Sequence, residues 1–191
     1  METNKIKYTI TFLSDWHIGS GLGSGADADS TVLKDKNDFP YVPGKTIKGL
    51  LKDALLDISE LQPGHAPRDL IDEIFGYQSD TLENARSHQG TVFFSNATVA
   101  MEEQNIINND MKPFLYRQFA STKINKNGIA EQGSLRTIEV TIPMIVEGYI
   151  SGEISQGKKA LIESGFKIIR SMGTLRNRGL GRCKIELENH D

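Results

Sequence analysis

The 191 residues carry a formal net charge of −3, with 38% hydrophobic and 25% charged side chains and a single cysteine. That balance suits one soluble core; it excludes an internal disulfide framework and a cysteine-rich zinc site, and no apolar run is long enough to span a bilayer. The opening residues Met1 to Lys5 lack the charged-then-apolar order of a secretory leader, so a cytoplasmic protein with no membrane partner is expected.

In chain order, Lys5 to Phe12 alternates, with Ile6, Tyr8, Ile10 and Phe12 on one side, as a half-buried first strand does. Residues 14–43 are polar and rich in glycine (Gly19, Gly21, Gly23, Gly25) and aspartate (Asp27, Asp29, Asp35, Asp38), a composition that reads as a mobile loop. From Thr46, Ile47, Leu50, Leu51, Ala54, Leu55 and Ile58 recur at three and four, predicting an amphipathic helix introduced by Pro43-Gly44, and a short second helix covers 68–75. The β-branched and aromatic run 91–100 is the second strand. After a polar excursion at about 112–137, Val140 to Ile154 alternates as one long third strand, in which Pro143 marks an edge or a bulge.

Leu161, Gly165, Ile168, Ile169 and Met172 define another main helix, ended by Gly173. Cys183, Ile185 and Leu187 alternate with charged residues in the last strand, which makes Cys183 a small buried apolar residue rather than a catalytic thiol. The order strand, helix, strand, strand, helix, strand predicts an α+β, ferredoxin-like (RRM-type) βαββαβ core in a single domain, 1–191. The core segments are about 5–12, 44–60, 90–101 and 138–188, with insertions at about 14–43 and 112–137.

Several motifs fail on spacing. Gly44-Lys45-Thr46 would end a P-loop, but Phe39 stands where the first glycine belongs. Asp27-Ala28-Asp29 opens like a calcium loop, yet Thr31 and Val32 occupy a ligand position and the turn-glycine position. The glycines at 19–25 have no dinucleotide spacing, and His17, His65, His88 and His190 have no metal-ligand spacing.

What survives is basic. Residues 157–184 hold eight Lys or Arg against Glu163, and residues 112–136 hold five, Lys112, Arg117, Lys123, Lys126 and Arg136, against Glu131. The turn Gly173-Thr174-Leu175-Arg176-Asn177-Arg178-Gly179-Leu180-Gly181-Arg182 combines glycines, which bring backbone N–H groups close to a ligand, with guanidinium forks suited to phosphate. It reads as a nucleic-acid cradle, or as a helix cap with solvated arginines. Lys48 and Lys52, four apart, share a helix face with Lys45 near its positive end, as a phosphate-binding row or a solvated stripe.

Four segments together carry a family resemblance: Trp16-His17-Ile18-Gly19-Ser20-Gly21; Asp29 to Asp35 running into Pro40 to Gly49; Lys123 to Ala130 with Leu135 and Glu139; and the terminal Gly-Arg turn. In this order and spacing the chain resembles the RAMP superfamily of CRISPR-associated proteins, and within it the backbone subunit of type III effector complexes. The resemblance implies a β-hairpin thumb at the 112–137 excursion, folded over a guide–target duplex, and copies of the chain stacked in a filament with other complex subunits. It implies CRISPR guide RNA and complementary target RNA as partners, with His17, Lys45, Thr46, Lys48, Lys52, Arg117, Lys123, Lys126, Arg136, Arg176 and Arg178 as RNA-binding residues. Asp29 aligns with the family's target-cleaving aspartate, so the implied activity is a metal-dependent endoribonuclease. Asp29, with Asp27 as its rival, would hold a divalent ion, Mg²⁺ by preference. Thr31 departs from the proline usual in that loop. The alternatives are a non-catalytic guide-binding or capping subunit, and a guide-precursor nuclease using His17.

Overall fold

The computed structural model describes residues 4–23, 29–62, 64–78 and 87–188; Asp27 and His190, singled out above, lie outside them. Strand β1 (Asn4–Phe12) turns one side, Tyr8, Ile10 and Phe12, into the core. A two-residue strand β2 (Tyr41–Val42) leads into helix α1 (Gly44–Leu61), whose buried stripe is Ile47, Leu51, Ala54 and Leu55. Helix α2 (Arg68–Phe75) and a short hairpin of β3 (Gly76–Gln78) with β4 (Ser87–Gln89) follow. Next come β5 (Val92–Phe94), β6 (Ala97–Thr98) and α3 (Met101–Ile106). Strands β7 (Tyr116–Ser121) and β8 (Arg136–Thr141) pair with each other, and β9 (Ile145–Gly152), α4 (Gln156–Ile168) and β10 (Cys183–Leu187) complete the chain.

The main sheet runs β10-β1-β9-β6-β2, with β5 also on β9, all antiparallel. The last strand lies beside the first and the first beside the third, which is the ferredoxin-like order read from the element sequence. Helices α1 and α4 pack together, and Gly165 permits the contact, since a β-carbon there would stand 2.5 Å from Leu51 Cδ1. Tyr8, at 0% exposure, sends its hydroxyl to the Ser95 carbonyl 2.7 Å away; burial raises its ionisation well above the ordinary phenol range.

Four expectations need correction. The second strand is two pieces, β5 and β6. The long third strand is also two: β8 belongs to the hairpin and β9 to the main sheet. Pro143 lies in the break, where Ile142 N–H donates to Leu115 and Met144 accepts from Phe12 N–H. Helix α4 stops at Ile168, four residues before Met172, because the chain from Arg170 onward pairs with the last strand's approach through Cys183 N–H to Arg170 O and Met172 N–H to Gly181 O. Finally, the described parts of the 14–43 insertion are laid down rather than loose, bridged as Trp16–Thr141, Gly19–Val32, Ser30–Ile138 and Lys34–Pro40.

Candidate nucleic-acid interface

The hairpin β7–β8 rises from the base of the sheet. Trp16 anchors it, exchanging both backbone hydrogen bonds with Thr141, donating its indole N–H to Ile142 O at 3.1 Å and stacking on Phe12 at 4.3 Å between centroids. Arg117, on β7, reaches back with Nε and Nη2 to Asp15 Oδ2, on the loop after β1. Both nitrogens meet the same carboxylate oxygen, which ties the hairpin to the loop after β1 and engages two of the three guanidinium nitrogens.

Between hairpin and Gly-Arg turn opens a cleft of about 450 Å³ lined by Lys123, Arg136 and Ile138 on one side and Thr174, Leu175 and Arg178 on the other, with Ser121, Thr122 and Ser134 at its polar wall. Two basic segments more than thirty residues apart in sequence thus meet on one surface. Among the described residues Lys126, Arg136, Arg176 and Arg178 carry no ion pair, and all four are exposed. Lys123 is held to Glu131 at 2.9 Å.

In the turn itself five amides are engaged within the protein: Thr174 N–H donates to His17 O, Arg178 N–H to Leu175 O, Gly179 N–H to Arg176 O, Gly181 N–H to Asp15 O and Arg182 N–H to Ser14 Oγ. Gly181 (φ +67°) passes so close to Met172 O that a β-carbon would overlap it, and Gly173 (φ +91°) presses on His17 O. The glycines shape the turn, Leu175 takes a left-handed φ of 56° inside it, and what faces outward is the arginine side chains.

Asp29 lies against β8. Its N–H donates to Thr137 O at 2.7 Å and its Oδ2 accepts from Thr137 N–H at 2.8 Å, so its carboxylate is fixed to the residue between cleft-lining Arg136 and Ile138. The residue is exposed, and Oδ1 has no partner among the described residues. His17 sits beneath this surface rather than on it. It is 2% exposed, its Nδ1–H donates to Glu139 O at 2.6 Å, and Nε2 lies in hydrogen-bond contact with Ser30 Oγ at 3.2 Å. It therefore supports the Asp29 loop and cannot itself meet RNA without unfolding that contact.

On α1, Lys45 is exposed, Thr46 and Lys48 are half-buried, and Lys52 Nζ donates to Gly76 O at 3.2 Å. None of them lines the cleft. Glu139 escaped the sequence reading as a site residue: its carboxylate accepts from Val32 N–H at 3.0 Å and Lys34 Nζ at 2.8 Å. The sequence marks it only as part of a segment that carries the resemblance and shows no role for it, because its partners lie more than a hundred positions away.

The fold and the site now bear on ancestry. The RAMP superfamily model matches residues 9–184, nearly the whole chain. The chain belongs to the RAMP superfamily. No curated protein matches it in sequence. In structure this RAMP protein is similar to a chain of the type III-B Cmr-beta bound to cognate target RNA, with a TM-score of 0.69 and 12% identity over 96% of this chain and 97% of that one. It is similar also to the apo state of type III-B Cmr-beta, at a TM-score of 0.66, 13% identity and 96% coverage of each. At such identities the likeness speaks for the fold, and the ferredoxin-like architecture is common to them. No helix among the described residues is long and apolar enough to cross a membrane.

Proposed function

We propose that this RAMP protein is a guide-RNA-binding backbone subunit of a type III CRISPR effector complex, and that it cuts target RNA with Asp29. The supporting observation is an exposed carboxylate on Asp29, held by one oxygen to Thr137, the residue between Arg136 and Ile138 of a cleft in which Arg136 and Arg178 have no ion pair among the described residues. Guanidinium forks bind phosphate oxygens bidentately and so hold an RNA backbone in register. Asp29 Oδ2 is committed to Thr137, which orients the side chain, and Oδ1 remains to accept a ribose 2′-hydroxyl proton when the adjoining nucleotide is presented in line.

Among the described residues no three His, Cys, Asp or Glu side chains gather as a cation site. A divalent ion would therefore take Asp29 as its one carboxylate from these residues, which fits Mg²⁺, since that ion keeps water and substrate phosphate oxygens in its shell. When bound, such an ion would offset charge developing on the phosphoryl oxygens.

A second reading has its own observation. The Thr137 N–H bond makes the Asp29 carboxylate a structural clamp, as a non-catalytic guide-holding subunit would use it. Asp29→Asn separates the two, because the amide oxygen can still accept from Thr137 while the charge is gone. In the reconstituted guide-bound assembly with Mg²⁺, the expected result is regularly spaced cuts in complementary RNA that vanish in Asp29→Asn and in EDTA while target binding persists. Equal cutting by the variant would transfer the chemistry elsewhere, and binding without cuts in either protein would leave the holding role. The precursor-nuclease reading loses its candidate base, because His17 is buried with both ring nitrogens engaged.

A further inference from the structure

We infer that Glu139 is the positioning residue of this site, the group that fixes the Asp29 loop in register with the hairpin; the cleavage part of this inference rests on the reading just proposed. Residues 29–32 run alongside β8 as a short parallel segment, bridged at Ser30 and Ile138. Asp29 is bound at Thr137 in both directions, and Glu139 N–H donates to Ser30 O at 2.9 Å. Those contacts are backbone or involve Asp29 itself. Glu139 supplies the rest: Oε2 takes Val32 N–H, Oε1 takes Lys34 Nζ, and its carbonyl takes His17 Nδ1–H, whose other nitrogen contacts Ser30 Oγ.

One residue thus grips the loop at Ser30, Val32 and Lys34 and through the buried histidine beneath it. The carboxylate is 19% exposed and Lys34 29%, so the pair is sheltered, and Lys34 Nζ also rests 3.9 Å above the Tyr116 ring on β7. The same burial, with the negative Glu139 nearby, raises Tyr116 ionisation far above the ordinary phenol range, leaving a neutral ring under the ammonium. Both strands of the hairpin are therefore wired to the loop that carries Asp29. A carboxylate so registered follows the hairpin, and a reacting group displaced by about 1 Å can lose about 100-fold in rate.

Glu139→Ala tests this. It removes the acceptor for Val32 N–H and leaves Lys34 without its counter-charge. Lys34→Met, which releases the other end of the same link, covers the case that Glu139→Ala folds poorly. Two readouts are taken on the guide-bound assembly. In hydrogen exchange, the amides of Val32 and Asp29 should lose protection in both variants while those of β1 and β9 keep theirs. In single-turnover cutting with saturating Mg²⁺, the rate should fall about 10- to 100-fold with the target Kd unchanged within about twofold.

Unaltered exchange at Val32 overturns the inference. So does unaltered cutting despite faster exchange, and so does a loss of affinity that matches the loss of rate, because a generally loosened fold would produce it. If the wild-type assembly does not cut, the cleavage reading falls, and the exchange readout alone decides whether Glu139 clamps the loop.

Discussion

At the scale of single residues, burial separates groups that composition leaves equivalent. His17 and Asp29 both sit in the insertion that follows β1, yet one is a core contact and the other is exposed. His17→Ala should cost about 1–3 kcal/mol of stability, since it takes the side-chain donor from the Glu139 carbonyl and removes a buried ring. Urea unfolding checks this; an unchanged midpoint would mean that the ring is not holding the loop. Cys183 offers a cleaner test. Desolvation raises its thiol from the ordinary 9.0 to about 11, so the folded chain keeps a proton that the unfolded chain releases. Stability is complete below pH 9 and declines as pH rises towards 11, and iodoacetamide at pH 8 should label the native thiol at least about 100-fold more slowly than the urea-unfolded one. Labelling at equal rates would contradict the burial of this strand. The alternation of Cys183, Ile185 and Leu187 made that burial legible in advance, whereas nothing near His17 in sequence announces Glu139 or Ser30.

At the scale of elements, the periodicities that locate strands and helices locate their ends less well. Val140 to Ile154 alternates without interruption, so one strand was the natural reading, but a proline without an N–H permits two strands to leave in different directions. Likewise Ile169 and Met172 continue the apolar spacing of α4, while pairing with the chain at Gly181 and Cys183 takes those residues out of the helix. Long-range hydrogen bonds decided both boundaries, and a local pattern cannot contain them. The Gly-Arg turn makes the same point testable. Gly181 and Gly179 both have positive φ, but a β-carbon at Gly181 would collide with the Met172 carbonyl, and one at Gly179 would meet nothing within 4 Å. Gly179→Ala should then cost about 1 kcal/mol, the backbone penalty alone, and Gly181→Ala about 2 kcal/mol or more, with weakened RNA binding as Arg178 is displaced. Equal thermal shifts for the two would show that the turn is looser than drawn.

At the scale of the whole molecule, a net charge of −3 argues against a polyanionic partner until the basic residues are sorted by what they already hold. Lys158 is 4% exposed and salt-bridged to Glu73; Lys167 pairs with Glu163, Lys184 with Glu186, and Arg117 with Asp15. Some of the basic excess read in residues 112–136 and 157–184 is therefore already engaged in ion pairs, whereas Arg136 and Arg178 face one cleft with no ion pair among the described residues. Single-stranded RNA binding loses about 0.7 in the slope of log K against log salt for each phosphate contact removed. Arg136→Ala and Arg178→Ala should each flatten the slope by about that amount and weaken binding similarly for every sequence tested. Arg117→Ala should instead leave the slope nearly unchanged and lower the melting temperature, because it strips the partner from the mostly buried Asp15. A full slope change at Arg117 with none at Arg136 or Arg178 would move the RNA path off this cleft and onto the outer face of β7.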